Sequence, residues 1–529
     1  MTYRLLDIRN TEQYEKYGLS PLCAKVFAAN GLRDEQIEEL LSGDDDLRTS
    51  SAPCVKAACK RILAAQRNHE KVFVGGDYDA DGICSTAIMK RTLDLLHIEN
   101  GYYIPDRFRE GYGLSAATVR LAYEKGYSLI MTVDNGVKAF EAMAEARKLN
   151  LDLIITDHHR IEEEIDADIV VHPDYMEPEY EYLSGAGVAL EISRNLIGDN
   201  DELTAMAAVA AIADVMPVWR ETRRIILKGM NVLRQKKPRS LYALLYPGSP
   251  VTMRTIAFQI VPKLNSVGRM NDLSNVNTVP RYLLARDEKT VSSYALQIGQ
   301  VNDARKALSD AQAKIAEEMI GDDAMPVICR DDFHEGICGL IAGRISSAVH
   351  KPVLVMTRNE DLYKGSGRSV PGFDLFAFLA PFPELCAFGG HEQAVGLSVH
   401  EADLPSFLAR VKEKMQEVSL EEISEETPAI LLSGSDITID AIMDLEGLQP
   451  FSKEISTLFA LPVSHPLAVY ETPKVIKYEI PCAAGRLEAV LYRRKNITIP
   501  ADIRYLYGHL MINRWKGRIA CQLEIENME

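Results

Sequence analysis

The chain contains KVFVGGDYDADG at residues 71–82, and this stretch decides the fold. Its first part, Lys71–Gly75, is a short apolar run of the kind that forms a buried strand. Three aspartates then alternate along the chain, at positions 77, 79 and 81. Alternate side chains of an extended backbone share one face, so these carboxylates would repel one another unless cations neutralised them. The stretch predicts a buried strand that ends at a cation site, followed by a helix that begins near Ile83.

Two more apolar runs end in acidic or histidine residues. Leu129–Val133 is followed by Asp134, and Leu151–Thr156 is followed by Asp157-His158-His159. Ligands of an open parallel sheet bind at the carboxyl ends of its strands, so we expect these side chains to meet in one crevice. They provide enough carboxylate and imidazole for two divalent cations. Paired cations of this kind commonly serve the hydrolysis of phosphoesters.

Asp214 is a fourth candidate, because it follows the Ala-rich apolar helix predicted over Leu203–Ala213. A carboxylate there is expected to be desolvated and therefore to need a partner, which a metal would supply. The two adjacent histidines cannot both face inward from one strand end. One is expected to bind metal and the other to meet substrate or the attacking water, with Asp157 orienting a histidine.

Each of these segments alone also has an ordinary structural explanation, which the sequence leaves open. The three aspartates could form an acidic surface turn, although not a calcium-binding loop, since the glutamate of such a loop would fall at Ile88. Asp134 could cap a helix, because Asn135-Gly136 follow it. The histidines could be a buried, hydrogen-bonded pair, and Asp214 could be a loop residue.

The bulk composition narrows the class of protein. A length of 529 residues suggests roughly three or four domains, and 47% hydrophobic with 26% charged residues is ordinary for a globular protein. We expect a cytoplasmic protein with no membrane association, because no apolar stretch could span a bilayer and the first residues lack an apolar signal core. Nine cysteines without a CxxC pair predict reduced thiols rather than a zinc site. The net charge of −17 argues against a nucleic-acid partner without excluding one, because local basic patches matter more than the sum.

The chain is expected to form several domains. From Ala52 to about Pro238, apolar strands alternate with helical patterns, which is the βαβ rhythm of a parallel sheet. A long helix is predicted over Glu288–Ile320 from one apolar stripe, ending at Gly321. Short β-branched and aromatic runs near the end predict a small barrel or sandwich. The expected organisation is a mixed N-terminal segment (1–48), an α/β domain with a parallel sheet (49–285), a connecting helix (286–322), a second α/β domain (323–418) and an all-β barrel (427–529).

The chain resembles the DHH phosphoesterase superfamily in the order of seven motifs: GDYDADG (76–82), PDRFREGYGL (105–114), TVDNG (132–136), DHH (157–159), HPD (172–174), GAGVAL (185–190) and ADVMP (213–217). Two later motifs resemble its DHHA1 domain: GSGRS (365–369) and FGGHEQAVGLSV (388–399). Two others resemble the RecJ branch of single-strand-specific 5′→3′ DNA exonucleases: LNSVGRM (264–270) and INRWKGR (512–518). The resemblance implies an OB-like fold, of the kind that binds oligonucleotides, for the barrel.

The resemblance implies a two-metal exonuclease that degrades single-stranded DNA from 5′ to 3′ into 5′-mononucleotides, in DNA repair and recombination. A carboxylate-rich site with one imidazole suits two Mn²⁺ ions, with Mg²⁺ as the second option. The implied metal ligands are Asp77, Asp79, Asp81, Asp134, His158 and Asp214. The implied catalytic residues are His159, Asp134 and His391. The expected substrate-binding residues are Arg107, Arg109, Asn265, Arg269, Ser366, Arg368, Gly389, Gly390 and His391.

Single-stranded DNA is the expected partner, with a single-strand-binding protein or a helicase as a further one, and the chain is expected to be a monomer. Two alternatives stay open. A DHH-type phosphodiesterase of nano-RNA or cyclic dinucleotides would resemble the first two domains, but such enzymes usually lack an added barrel. A non-catalytic RecJ-like scaffold would share the fold, but this chain retains every type of ligand. Gly75 stands where some superfamily members have a histidine, so the metal occupancy and preference of this chain are expected to differ from theirs.

Overall fold

The computed structural model describes residues 3–106, 110–111, 113–419, 426–463, 468–492, 499–500, 502–515 and 517–529. The chain divides into two compact units. The first unit contains Asp44–Lys314 and His334–Ile337. The second unit contains Met1–Gly43, Ile315–Phe333 and Cys338–Glu529.

The strands follow one another along the chain as β1 (Tyr3–Leu6), β2 (Val72–Gly75), β3 (Asn100–Tyr103), β4 (Leu129–Thr132), β5 (Asp152–Thr156), β6 (Ile169–Val171), β7 (Val327–Arg330), β8 (Val353–Asn359), β9 (Leu362–Arg368), β10 (Leu385–His391), β11 (Ala394–His400), β12 (Thr427–Leu431), β13 (Phe459–Pro462), β14 (Ala468–Glu471), β15 (Val475–Cys482), β16 (Gly485–Tyr492), β17 (Tyr505–Trp515) and β18 (Arg518–Met528).

The helices are α1 (Pro21–Ala29), α2 (Asp34–Ser42), α3 (Pro53–Arg67), α4 (Ala80–Leu95), α5 (Ala116–Glu124), α6 (Phe140–Lys148), α7 (Gly185–Ile197), α8 (Asp201–Ala213), α9 (Arg220–Gln235), α10 (Arg239–Ala243), α11 (Met253–Thr255), α12 (Val261–Arg269), α13 (Val279–Leu283), α14 (Glu288–Glu318), α15 (Cys338–Val349), α16 (Leu375–Leu379), α17 (Leu404–Met415) and α18 (Ile439–Gly447). A π-helical turn, Ile256–Ile260, connects α11 to α12. Within the described part of the chain, none of the helices combines the length and the apolar character that crossing a bilayer requires.

The first unit is built on a five-stranded parallel sheet in the order β3-β2-β4-β5-β6. Its strands β2 and β4 are buried at every position because helices cover both faces of the sheet. Val72 and Val74 pack in one core with α4, α7 and α8, whereas Phe73 packs in the other core with α5 and α6. The strand order reverses at β2, which lies between β3 and β4. The crevice at the carboxyl ends of these strands is therefore where a ligand site is expected, and the predicted parallel sheet is confirmed.

The second unit contains two sheets. One has five strands in the order β10-β11-β9-β8-β7, and only its β7–β8 pairing is parallel. The other has eight strands in the order β1-β12-β13-β17-β18-β16-β15-β14. The strands predicted near the end of the chain are present in this second sheet.

The N-terminal segment (1–48) contains the short helices α1 and α2, and it also contributes a strand that was not predicted. Strand β1 pairs in parallel with β12, with Tyr3 opposite Thr427. The ring of Tyr3 also stacks on that of Tyr507, with centroids 3.9 Å apart. Residues from both ends of the chain therefore share one sheet, which also packs against helix α18. The all-β description of residues 427–529 thus omitted one helix.

The long helix α14 also differs in detail from the prediction. It ends at Glu318, before the predicted Gly321. Val291 and Ile298 of the expected apolar stripe are buried, but Ile315 is 36% exposed. The buried residues near that end are alanines instead, Ala313 and Ala316. The prediction of a single apolar stripe along the whole helix was wrong, because different faces of α14 are buried near its two ends.

Candidate metal centre

The three aspartates after β2 lie around the first turn of α4. This helix begins at Ala80, earlier than the predicted start near Ile83, so the aspartates do not continue an extended strand. Asp79 caps the helix and accepts hydrogen bonds from the backbone N–H groups of Asp81 and Gly82 at 3.0 and 3.1 Å. A helix N-terminus favours negative charge, which helps to hold these carboxylates together. A Cβ on Gly82 would lie 2.5 Å from Asp77 Cβ, so the close turn requires glycine.

Asp81 is held by the start of helix α7. Its Oδ1 accepts from Ser184 Oγ at 3.1 Å and from Ala186 N at 2.7 Å, and its Oδ2 accepts from Gly185 N at 2.8 Å. Three such donors compensate a carboxylate that is 2% exposed. This partner was not predicted from the sequence, although GAGVAL marks the turn that supplies the amides.

Asp134 follows β4 in the left-handed backbone region, with φ of 62°. It does not cap a helix, because α6 begins at Phe140 with Ala139 as its N-cap. Helix α7 approaches it closely: a Cβ on Gly185 would lie 2.5 Å from Asp134 Cβ. The sequence left open that Asp134 caps a helix, and this alternative is therefore wrong.

The buried imidazole of His158 lies where the carboxylates converge. Its Nε2 is 3.2 Å from Asp134 Oδ1, 3.6 Å from Asp81 Oδ2 and 3.6 Å from Asp214 Oδ2. Its side chain is 8% exposed. The ends of β2, β4, β5 and α8 thus bring one histidine and three carboxylates to a single point, as their places after apolar runs predicted.

Asp214 is more exposed than expected. Its side chain keeps 38% of its accessible surface, whereas the sequence predicted a desolvated carboxylate. The physical reason is that α8 ends at Ala213, and Asp214 caps it beyond the buried part of the helix. Asp214 therefore lies on the accessible side of the cluster.

Three overlapping groups of side chains place their ligand atoms within 4.8 Å of one another. The groups are Asp77–Asp79–Asp134, Asp81–His158–Asp214 and Asp134–His158–His159. Carboxylate oxygens with an imidazole nitrogen suit Mn²⁺, and oxygen-rich sets also suit Mg²⁺. The donor set therefore fits divalent cations. The third group includes His159, which was predicted as a catalytic residue rather than as a metal ligand.

The electrostatics of the cluster show how crowded its negative charge is. Burial, and then the charges of Asp81, Asp79 and Asp77, raise the pKa of Asp134 well above its usual range. Burial, followed by the charge of Asp81, also raises the pKa of Asp79. Burial lowers the pKa of His158, which favours the neutral imidazole that can ligate a metal.

Asp157 orients His159 rather than His158. The Asp157 Oδ1 accepts from His159 Nδ1 at 2.7 Å, and Oδ2 accepts from Val137 N at 3.0 Å. Burial lowers the pKa of His159, but the hydrogen bond and charge of Asp157 outweigh it and raise that pKa to about 9. The ring of His159 is 43% exposed and its centroid lies 4.5 Å from that of His158.

His172 anchors the main chain of this loop and was missed as a site residue by the sequence analysis. Its Nδ1 accepts from Asp174 N at 3.1 Å, so Nε2 carries the proton and donates to the carbonyl of His159 at 2.9 Å. The side chain is 3% exposed. The signal for it was present in the HPD motif that follows β6.

The predicted substrate-binding residues of the first unit are placed in part. Asn265 Oδ1 accepts from Ala80 N at 2.7 Å, so this side chain holds the start of α4. Arg269 ends α12, and a Cβ on Gly336 would lie 2.0 Å from its carbonyl oxygen. Arg107 and Arg109 lie outside the described residues.

The other predicted substrate-binding residues lie on neighbouring strands of the second unit. Strand β11 pairs with both β10 and β9, which puts His391, Ala394 and Arg368 in one cross-strand row. Gly389 and Ser366 share another row, through Gly396 between them. Gly390 has φ of 137°, and a Cβ there would lie 2.3 Å from the carbonyl oxygen of Ala394, so the tight end of this hairpin requires glycine.

Comparisons with known protein families agree with this fold and site. The model of the DHH family, N-terminal domain, matches residues 71–215, and the model of the DHHA1 domain matches residues 312–417. The first match contains the candidate metal centre, and the second contains strands β9, β10 and β11 with His391 and Arg368. The chain thus has the fold and the acidic centre of a DHH-type phosphoesterase.

The similarity extends to particular proteins. The chain is 32% identical to the single-stranded-DNA-specific exonuclease RecJ of Bacillus subtilis over 97% of its own length and 68% of that relative. It is 30% identical to the same-named protein of Salmonella typhimurium, over 75% of each. The chain belongs to the RecJ family of single-stranded-DNA-specific exonucleases.

Solved structures of this family share the fold. RecJ from Thermus thermophilus in complex with Mn²⁺ matches all of this chain and 79% of its own, with a TM-score of 0.85 and 24% identity. A crystal structure of exonuclease RecJ bound to manganese matches 71% of this chain and 100% of its own, with a TM-score of 0.63 and 28% identity.

Proposed function

We propose that this protein is a metal-dependent exonuclease that degrades single-stranded DNA in the 5′→3′ direction and releases 5′-mononucleotides. The observation that carries the proposal is the convergence of three carboxylates on His158 Nε2 at 3.2–3.6 Å, in a chain of the RecJ family. The retained acids and histidines argue against a non-catalytic scaffold. The strands beyond residue 427 argue against an enzyme limited to dinucleotides.

Six residues would hold the cations: Asp77, Asp79, Asp81, Asp134, His158 and Asp214. Bound Mn²⁺ or Mg²⁺ would supply the positive charge that makes water a nucleophile near neutral pH and offsets charge on a phosphoryl group. The protein contributes by holding the ligands in advance: Ser184 and the amides of α7 fix Asp81, and the first turn of α4 fixes Asp79. Preorganised ligands avoid rearrangement during the reaction.

His159 would contact the scissile phosphate. Asp157 fixes its ring through Nδ1, and His172 fixes its main chain through the carbonyl. Both contacts hold the half-exposed imidazole in one position beside His158. A positioned imidazole can donate a hydrogen bond to a phosphoryl oxygen and so stabilise charge that develops there.

Further contacts to the strand would come from Arg269 and, in the second unit, from the row of His391 and Arg368. Arginine can form a bidentate pair with phosphate. Backbone N–H groups near Gly389 and Gly390 can bind an anion, because no side chain obstructs approach. A single-strand-binding protein or a helicase would deliver the strand to a monomeric enzyme.

Digestion of end-labelled strands tests the proposal. A 30-nucleotide strand labelled at the 5′ or the 3′ end is incubated with Mn²⁺ and with the wild type, Asp134→Ala or His159→Ala. Early release of the 5′ label as a mononucleotide, and loss of release in both variants, is expected. Asp166→Ala and His400→Ala, at exposed positions that are not part of the cluster, are the matched controls and should digest the strand as the wild type does. Unchanged digestion by Asp134→Ala and His159→Ala would overturn the site assignment, and early release of the 3′ label would overturn the polarity.

A further inference from the structure

One segment of the first unit concentrates positive charge in an acidic chain. Between Thr222 and Asn271 the sequence holds ten lysines and arginines and no aspartate or glutamate, although the whole chain has a net charge of −17. Arg224, Lys228 and Lys236 form ion pairs with carboxylates from other segments. The other basic residues leave this segment locally positive, although the chain as a whole is negative.

Four of these residues are exposed: Arg234, Lys237, Arg239 and Arg254. Lys237 Nζ lies 5.3 Å from the centroid of the Tyr242 ring. Arg239 donates to the carbonyl of Arg286 at 3.4 Å, and Arg234 donates to the carbonyl of Val251 at 3.1 Å. A ring and main-chain carbonyls do not neutralise a cation, so the positive charge of Arg234, Lys237 and Arg239 stays available to a ligand.

Three exposed aromatic rings belong to the same segment. Tyr242 is 36% exposed, Tyr246 48% and Phe258 73%. The ring of Tyr246 is held in place: Lys263 Nζ lies 4.6 Å from its centroid, and Lys306 Nζ donates to its hydroxyl at 3.5 Å. A ring fixed in this way loses little conformational entropy when a flat partner stacks on it.

Rings beside cations match the chemistry of a single nucleic-acid strand, in which bases and phosphates alternate. Proteins that bind single strands without sequence preference combine such a basic surface with aromatic residues on which bases stack. A duplex keeps its bases stacked inside and offers none to these rings. An acidic peptide could satisfy the cations, but it has no series of flat groups for three rings.

The segment also leads to the metal centre. It continues into α12, whose Asn265 accepts the hydrogen bond from Ala80 N at the acidic turn. Lys263, which contacts the ring of Tyr246, and Arg269 are separated by about 9 Å of helix. One short helix therefore links the ring of Tyr246, through Lys263, to the acidic turn, through Asn265, within the same unit.

We propose that Arg234, Lys237, Arg239, Tyr242, Tyr246 and Phe258 form a basic aromatic face that holds single-stranded DNA beyond the nucleotides at the metal centre. This inference rests on the proposed function and adds to it a second contact region for the same substrate. It explains how an acidic protein retains a polyanion: the charge that binds the strand is confined to one segment.

Binding of a fluorescein-labelled 30-nucleotide dT strand, measured by anisotropy in the full-length Asp134→Ala background, tests the cations. Arg234→Glu/Lys237→Glu/Arg239→Glu is expected to bind roughly tenfold or more weakly at low salt, and its log–log salt slope should fall by about 2. The matched control, Lys56→Glu/Lys60→Glu/Lys125→Glu, makes the same charge change at exposed positions of the same unit and should retain the wild-type slope.

The rings are tested separately. Tyr246→Ala/Phe258→Ala should weaken binding roughly fivefold or more, with an unchanged salt slope, because stacking is lost and charge is kept. Tyr123→Ala, which removes a ring that is 51% exposed on α5, is the control and should bind normally. With Asp134 restored, both face variants should show a raised KM for the 30-nucleotide strand. They should keep wild-type turnover of a 5′-phosphorylated trinucleotide, which also shows that they fold.

The inference is overturned if the cation and ring variants bind the 30-nucleotide strand with the same affinity and salt slope as their controls. It is also overturned if these variants lose turnover of the trinucleotide as strongly as turnover of the 30-nucleotide strand. Normal DNA binding combined with lost binding of fluorescein-labelled oligoglutamate would assign the face to an acidic protein and likewise overturn it. The proposed function fails separately, if the wild type neither binds nor digests the single strand.

Discussion

Gly185 and Asp134 lie so close together that a Cβ on the glycine would be 2.5 Å from Asp134 Cβ and 2.5 Å from Oδ1. The same glycine donates its N–H to Asp81 Oδ2 at 2.8 Å. Its missing side chain therefore lets one helix start support two carboxylates of the candidate centre.

Gly185→Ala is expected to displace Asp134 or the start of α7, because a methyl group does not fit the gap. Overpacking of this kind destabilises by about 1–3 kcal/mol, and a misplaced ligand should reduce activity roughly 100-fold. Thermal unfolding measures the loss of stability, digestion of a single strand measures the loss of activity, and Mn²⁺ titration calorimetry measures the accompanying loss of metal affinity. Gly299→Ala is the control, because nothing lies within 4 Å of the added Cβ in α14. Wild-type Mn²⁺ affinity in Gly185→Ala would contradict the prediction.

His172→Ala should loosen the loop that carries the two histidines. The carbonyl of His159 and the N–H of Asp174, both in part-buried hydrogen bonds, would lose their partner, which costs up to about 3 kcal/mol for a group that water does not reach. Supporting residues of this kind typically change metal affinity or activity roughly 10- to 100-fold. Calorimetric Mn²⁺ titration and kcat on a single strand are the measurements. His400→Ala, at a half-exposed position of the second unit, should leave both unchanged.

The candidate site was predictable where one local pattern determined it. A buried strand followed at once by a polar residue places that residue at the edge of a parallel sheet, so Asp134 and His158 could be assigned from short windows. The structure brings the aspartates after β2 into the cluster. The prediction that these aspartates lie on extended backbone was wrong, because Asp79 caps α4 and the helix begins at Ala80.

Contacts between distant parts of the chain could not be predicted in this way. Asp81 binds Ser184, 103 residues away, and Tyr3 pairs with Thr427. Neither partner is marked by the periodicity of its own segment, since each contact depends on how whole elements pack. The exposure of Asp214 was mispredicted for a related reason: a buried helix predicts burial only as far as the helix continues.

Glu221 should make stability depend on pH. It is 1% exposed, and burial raises its pKa to about 7, although the N–H of Arg48 and the charges of Arg194 and Arg224 oppose this. A carboxyl whose pKa is raised by folding favours the folded state fully below its unfolded pKa of about 4.5, and that contribution is lost as pH rises through about 7. The wild type should therefore lose up to about 3 kcal/mol from this group between pH 5 and 8.

Glu221→Gln should show a smaller decrease over the same pH range, because the amide does not ionise. Urea unfolding at pH 5, 6, 7 and 8 measures the free energy of unfolding of both proteins. Glu202→Gln is the control, since Glu202 is exposed and should leave the wild-type pH profile intact. Parallel profiles for the wild type and Glu221→Gln would contradict the prediction.

Asp134→Asn should be more stable than the wild type without metal and less responsive to metal. Burial and the charges of Asp81, Asp79 and Asp77 disfavour the ionised carboxylate of Asp134, and an amide of nearly the same shape removes that charge. A cation that binds the folded state stabilises it in proportion to the logarithm of its concentration over Kd. Thermal unfolding at pH 8 in EDTA should therefore give the higher Tm for Asp134→Asn. In 1 mM Mn²⁺ the order should reverse, because the wild type gains stability and the variant gains little. A variant that is less stable than the wild type in EDTA would show that Asp134 supports the fold directly, in addition to any role with cations.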